Sequence, residues 1–77
     1  MRRASLHEHP MITVNINGES RQLPDALPVT TLIELLGLTG KRIALEFNGE
    51  ILPRARYSSQ LLSEGDKLEV VVAVGGG

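Results

Sequence analysis

The stretches KLEVVVAV at Lys67–Val74 and MITVNING at Met11–Gly18 decide how this chain folds. In both, aliphatic residues recur at every second position, which is the side-chain period of a β-strand. Asn17-Gly18 is a strong hairpin signal, because a type I′ turn needs positive φ at both central residues. We therefore expect Glu19–Leu23 to return as a second strand, and its polar composition predicts an edge position.

A short helix is predicted after this first hairpin. Thr31 and Glu34 have the spacing of a capping box, in which each side chain accepts a hydrogen bond from a backbone N–H of the first turn. The apolar face of the helix is predicted to consist of Leu32, Leu35 and Leu36. Gly37 can supply the left-handed residue that ends a helix, with Leu38 making the apolar contact beyond it.

The rest of the chain predicts a second hairpin and a last strand. Ile43–Asn48 alternates like a strand, Asn48-Gly49 repeats the turn signal, and Glu50–Leu52 returns until Pro53 stops it. The following segment, Arg54–Ser63, is predicted to be irregular. Its anchoring residues are predicted to be Tyr57, Leu61 and Leu62.

The predicted element order is β-β-α-β-β-β, so the single helix must cover one face of a sheet. Both terminal strands are strongly apolar, which favours a central position for each, side by side and parallel. This arrangement is the β-grasp, or ubiquitin-like, fold. The sequence therefore predicts an α+β fold with a mixed sheet of four to five strands and one main helix.

Composition excludes most kinds of site. The chain has 77 residues, enough for one small domain, and it contains no cysteine, so disulfides, thiolate metal sites and cysteine nucleophiles are ruled out. Its net charge of −1 gives no reason to expect nucleic acid as a partner, and no apolar run is long enough to cross a membrane. The serines have no histidine partner outside the N-terminal segment. We expect neither a bound metal nor an enzyme that acts alone.

The first ten residues, MRRASLHEHP at 1–10, differ from the rest of the chain. They contain both histidines, His7 and His9, but two ligands without a supporting framework make a weak metal site. We interpret 1–10 as a disordered leader, 11–74 as the folded domain and 75–77 as a flexible glycine tail. Either Met1 or Met11 is the native start.

The last three residues, Gly75, Gly76 and Gly77, carry the strongest functional signal. A segment without Cβ atoms can enter a channel that any side chain would block. Its end would deliver the α-carboxylate of Gly77 to the active site of another protein. Because a carboxylate is a poor electrophile, it must be activated there, most simply by ATP through an acyl-adenylate.

The chain resembles the ThiS family, the ubiquitin-like sulfur carriers of thiamine biosynthesis in prokaryotes. The resemblance extends from Met11 to Gly77 and rests on the order of its motifs together. These are the Met11–Gly18 strand and turn, the helix segment Thr31–Leu36, the segments Asn48–Arg54 and Leu62–Val71, and the ending Ala73–Gly77.

The resemblance implies a mechanism and a set of partners. A ThiF-type adenylyltransferase would use ATP and Mg²⁺ to adenylate Gly77, and sulfur relayed from a cysteine desulfurase would convert it to a thiocarboxylate. A thiazole synthase would then receive the sulfur. The carrier itself would hold no cofactor and would supply delivery and recognition, as group carriers do. Its expected location is the cytoplasm.

Partner docking is predicted near the tail. Val71, Ala73 and Val74 surround the end of the last strand, and Arg54 could pair with an acidic group of a partner. The apolar residues Val71 and Ala73 form an exposed patch, are covered by the leader, or simply belong to a central strand that is apolar on both sides.

Three other functions stay open at the level of sequence. The small subunit of molybdopterin synthase resembles this fold and ending. A ubiquitin-like modifier would form isopeptide bonds to lysines, and a plain interaction module would have incidental glycines. The 67-residue length of 11–77 and the segment Leu52-Pro53-Arg54 favour the thiazole pathway.

Overall fold

The computed structural model describes residues 10–73. These residues form five strands and one α-helix in the order predicted, and a 3-10 helix lies in the segment that was predicted to be irregular. The strands are β1 (Met11–Ile16), β2 (Glu19–Pro24), β3 (Ile43–Phe47), β4 (Glu50–Ile51) and β5 (Lys67–Val72). The α-helix, α1, spans Val29–Leu35, and the 3-10 helix spans Arg54–Arg56.

The strands form one mixed sheet with the order β2-β1-β5-β3-β4. The first and last strands, β1 and β5, are parallel neighbours, and every other pair is antiparallel. This confirms the predicted β-grasp topology and the edge position of β2. Both hairpin turns have the predicted positive φ, 53° and 88° at Asn17 and Gly18, and 51° and 89° at Asn48 and Gly49.

The core lies between the helix and one face of this sheet. It is almost entirely aliphatic, as the single Phe and single Tyr of the chain require. Burial of this apolar area, at roughly 25 cal/mol per Å², is the main source of stability. The buried side chains are Ile12, Val14, Ile16, Leu23, Val29, Leu32, Ile33, Leu45, Leu52, Tyr57, Leu62, Leu68 and Val70.

The start of the helix differs from the prediction. The helix begins at Val29 after Pro28, whose backbone is extended, and no side chain caps it, so the capping box at Thr31 and Glu34 was wrong. Carbonyls of the irregular segment take over this role. The N–H of Val29 donates to the carbonyl of Gln60 at 2.9 Å, and that of Thr30 to the carbonyl of Tyr57 at 3.2 Å.

The apolar face of the helix differs in part from the prediction, since Leu32 is buried and Leu36 packs against the core as expected, but Leu35 is not part of that face. Val29, Leu32 and Ile33 are buried, whereas Leu35 is 62% exposed. The predicted anchor Leu61 is likewise 47% exposed, although Tyr57 and Leu62 are buried as expected.

The end of the helix confirms the prediction for Gly37. Gly37 has φ +75°, and its N–H donates to the carbonyl of Glu34 at 3.0 Å. The N–H of Leu38 donates to the carbonyl of Ile33 at 3.0 Å. These two bonds are those of a Schellman motif, in which a glycine adopts the left-handed conformation at low cost.

Candidate functional site

The last strand, β5, lies in the middle of the sheet and leads to the C-terminal residues. Lys67 and Leu68 pair with β1, and the pairing with β3 continues as far as Val72. The second half of β5 therefore has a backbone neighbour on one side only. The other side faces the Asn17-Gly18 turn.

On that side, the side chain of Asn17 makes the hydrogen bonds to β5 that a neighbouring strand would otherwise make. Asn17 Oδ1 accepts a hydrogen bond from the N–H of Val70 at 2.7 Å, and Asn17 Nδ2 donates to the carbonyl of Val70 at 3.1 Å. The backbone N–H of Asn17 donates to the carbonyl of Leu68 at 2.9 Å. Asn17 therefore holds β5 two residues beyond the last ladder pair of β1.

The final described residue is also held by the sheet. The N–H of Ala73 donates to the carbonyl of Arg42 at 2.9 Å, which continues the β3 side of the ladder. The predicted tail residues Gly75, Gly76 and Gly77 and the predicted docking residue Val74 lie outside the described residues, as do His7 and His9. The tail therefore follows a strand, β5, whose backbone is hydrogen-bonded on both sides as far as Val70.

The predicted docking residues Val71 and Ala73 lie on the sheet face opposite the helix. Val71 is 61% exposed and pairs with Ala44 across the β3–β5 ladder, and Ala73 is exposed. No element within residues 10–73 covers this face, so in the described part of the chain Val71 and Ala73 are exposed on a central strand, and the alternative of cover by the leader lies outside the described residues. Glu46 and Glu69 stand opposite each other in the same ladder, which places two carboxylates beside the apolar patch.

Arg54, the fourth predicted docking residue, lies on the other side of the molecule. It borders a cavity of about 230 Å³ between α1, the loop that follows it, the start of β3 and the 3-10 helix. Sequence reasoning did not predict this cavity. Its walls come from four separate segments, and only the folded chain brings them together.

The described part of the chain lacks two kinds of feature. Residues 10–73 contain no group of three His, Asp or Glu side chains that could hold a metal ion. None of the described helices is long and apolar enough to cross a membrane.

Comparison with known proteins identifies the family. The ThiS family model matches residues 14–77, which is well over half of the chain. The chain belongs to the ThiS family. ThiS proteins are small sulfur carriers, so membership assigns a carrier role to this chain.

Solved structures agree with this membership. A crystal structure of the thiamine biosynthesis protein ThiS from Geobacter metallireducens superposes with a TM-score of 0.74 at 28% sequence identity, covering 86% of this chain and 100% of that one. A solution structure of a thiamine biosynthesis protein from the same organism gives a TM-score of 0.70 at 28% identity and covers 86% and 88% of the two chains. This chain therefore shares the β-grasp fold of the Geobacter metallireducens protein.

Two relatives add information about context. A thiazole synthase of Paramagnetospirillum magneticum is 40% identical over 62 residues, which are 80% of this chain but only 19% of that protein. The uncharacterized protein ycf40 of Pyropia yezoensis is 36% identical over 69 residues, 90% of this chain and 97% of its own length. This ThiS chain thus spans about a fifth of the first relative and nearly all of the second.

Proposed function

We propose that this chain carries sulfur for thiazole formation in thiamine biosynthesis, as a thiocarboxylate at Gly77. The observation that carries the proposal is the extent of the family match, which includes the three terminal glycines. The position of β5 supports it, because a strand held in the centre of the sheet leads directly to that tail. Glycines give the tail the slim cross-section that entry into an enclosed active site needs.

The chemistry takes place on the α-carboxylate of Gly77. A carboxylate oxygen attacks the α-phosphorus of ATP, forming the acyl-adenylate and releasing pyrophosphate. A hydrosulfide-level sulfur then attacks the carbonyl carbon, forming a C–S bond while the C–O bond to AMP breaks. The products are the thiocarboxylate and AMP. A persulfide donor would require a thiol reductant as well, to cleave the S–S bond.

The carrier works through partner enzymes. A ThiF-type adenylyltransferase supplies the ATP and Mg²⁺ chemistry, a cysteine desulfurase relay supplies the sulfur, and a thiazole synthase accepts it. The relative named thiazole synthase supports the last assignment, since a segment of that protein is 40% identical to this chain. The chain's own part is recognition and delivery, without a bound cofactor.

We also propose that the exposed patch of Val71 and Ala73 contacts these partners, together with Val74 at the start of the tail. A carrier has to dock on several enzymes and leave each of them, which requires an interface of modest area. An exposed apolar patch beside the reactive end meets that need. The carboxylates of Glu46 and Glu69 border it and would set the orientation of a basic partner surface.

Intact-mass spectrometry tests the function directly. The chain is incubated with a ThiF-type adenylyltransferase, Mg-ATP and a sulfur donor, and we expect a mass gain equal to the exchange of one oxygen for sulfur, located at Gly77. The matched control is the chain lacking Gly77, which should stay unmodified. An unchanged mass of the full chain with an active enzyme would refute the proposal, and modification of the truncated chain would refute the choice of Gly77.

A further inference from the structure

The cavity beside Arg54 lies apart from the Val71 patch, on the helix side of the sheet. Its volume of about 230 Å³ is several times the roughly 30 Å³ that one water molecule takes up in the liquid. Its inner wall is apolar, formed by the side chains of Ile33, Ile43 and Tyr57. A cavity of this size and lining fits one large aliphatic or aromatic side chain.

The rim of the cavity carries two cations and one carboxylate, on Lys41, Arg54 and Glu34. The single ion pair within residues 10–73 joins Glu19 and Arg21 at 3.8 Å, so neither cation of the rim has a carboxylate partner in that part of the chain. Arg54 Nη2 donates only a long 3.5 Å hydrogen bond to the carbonyl of Lys41. A carboxylate from outside would accept shorter, charge-assisted bonds from the same guanidinium.

One wall residue of the cavity is paired with the end of β5, the strand that precedes the tail. Ile43 of the cavity wall pairs with Val72 across the β3–β5 ladder. The carbonyl of Arg42, between Lys41 and Ile43, accepts the N–H of Ala73 at 2.9 Å. A protein that holds the tail therefore lies within reach of the cavity.

We propose that this cavity is a recognition site for an acidic segment of the enzyme that adenylates Gly77. An apolar side chain of that segment fills the cavity, and a neighbouring carboxylate binds Arg54 and Lys41 on the side away from Glu34. The inference rests on the proposed function. The adenylating enzyme is the favoured partner, because it meets a tail that consists only of glycines and therefore has to recognise the folded domain. A later enzyme can recognise the thiocarboxylate sulfur itself.

Two neighbouring arginines provide a matched test. Arg54 borders the cavity and Arg56 does not, yet both are exposed and belong to the same 3-10 helix. Arg54→Glu and Arg56→Glu change the net charge equally, and Thr39→Trp fills the cavity from its exposed rim. Each variant is first compared with the wild-type chain by thermal unfolding. Its dissociation constant and adenylation rate are then measured with the ThiF-type enzyme and Mg-ATP.

We expect Arg54→Glu and Thr39→Trp to weaken binding at least about tenfold, and Arg56→Glu to weaken it by no more than about threefold. Equal effects of the two charge reversals would show general electrostatic attraction and overturn the inference. Wild-type affinity of the Thr39→Trp chain would overturn it as well. The inference would also be overturned if the variants lost affinity for a thiazole synthase and not for the ThiF-type enzyme, because the cavity would then bind a different enzyme.

The same experiment separates this inference from the function. An unmodified wild-type chain refutes the proposed function and, with it, the named partner. A fully adenylated wild-type chain with unaffected variants refutes only the cavity site.

Discussion

Replacing Asn17 with glycine removes both side-chain hydrogen bonds to Val70 and leaves the turn free to keep its positive φ. Each intramolecular hydrogen bond contributes about 0.5–1.5 kcal/mol, so the loss of two predicts a decrease of about 1–3 kcal/mol in the free energy of unfolding. In a domain of this size, each kcal/mol corresponds to a fall of about 4–8 °C in Tm.

Asn48→Gly is the matched control, because Asn48 begins the other Asn-Gly turn with φ 51°. Its side chain also makes two hydrogen bonds, accepting from the N–H of Lys67 at 2.9 Å and donating to Asp66 Oδ1 at 3.0 Å, but both are exposed. Water can replace exposed bonds, so we expect Asn48→Gly to cost about 1 kcal/mol or less. The bonds of Asn17 are partly buried, and water replaces them less completely.

Asn17→Ala distinguishes the cost of the left-handed turn conformation from the cost of the lost hydrogen bonds. It loses the same two bonds as Asn17→Gly and also places a Cβ atom at φ 53°, which adds about 1–2 kcal/mol. Urea unfolding followed by far-UV circular dichroism measures all three variants, and hydrogen exchange at the Val70 amide reports the local bond. The reasoning is refuted if Asn17→Gly costs no more than Asn48→Gly, or if the Val70 amide exchanges at the wild-type rate.

Three further predictions concern the core, the helix end and the outer sheet face. Leu45→Ala, at a fully buried position, should lower the free energy of unfolding by about 2–5 kcal/mol. Leu35→Ala, on the exposed side of the helix, should lower it by no more than about 0.5 kcal/mol. Equal losses in urea titrations would contradict the exposed position of Leu35 on the helix. Gly37→Ala meets open space but has to adopt φ +75°, so thermal unfolding should show a loss of about 1–2 kcal/mol, and an unchanged Tm would argue against the Schellman end. Val71→Asp places a carboxylate in the central strand beside Glu69, so it should lower the free energy of unfolding by about 1 kcal/mol and leave the domain folded. It should weaken binding to the partner enzymes in calorimetric titrations. Leu35→Asp, which introduces the same charge at an equally exposed position on the helix, is its control, and wild-type affinity of the Val71→Asp chain would remove the patch as a docking surface.

The topology of the sheet could be predicted from sequence because its signals are local and strong. Two Asn-Gly turns fix two hairpins, and the apolar character of both terminal strands places them in the centre. The start of the helix could not be predicted in the same way. A capping box is a local pattern, whereas the N–H groups of Val29 and Thr30 are satisfied by the carbonyls of Gln60 and Tyr57, which lie about thirty residues further along the chain.

The candidate site shows the same difference between local signals, which the sequence reveals, and contacts between distant residues, which it does not. The glycine tail and the position of Val71 on the face opposite the core follow from the order of residues along the chain, whereas the sequence left open whether Val71 is exposed. The side chain of Asn17 that holds Val70 was missed, since an Asn-Gly pair predicts the turn but not where the asparagine side chain bonds. The cavity beside Arg54 was missed because its lining comes from distant segments, and the docking role of Arg54 stays a prediction.

The parallel pairing of β1 with β5 has a consequence for how the carrier is made. Without β5 the sheet separates into two isolated hairpins, β1–β2 and β3–β4, and a lone hairpin is marginally stable in water. The central contact joins Asn15 to Lys67, so most of the chain must be synthesised before the sheet can close. A ribosome-bound chain that still lacks β5 presents no folded surface to an enzyme, and proteolytic loss of β5 destroys the fold together with the tail. Enzymes that bind the folded domain thereby select chains whose C-terminal strand is intact.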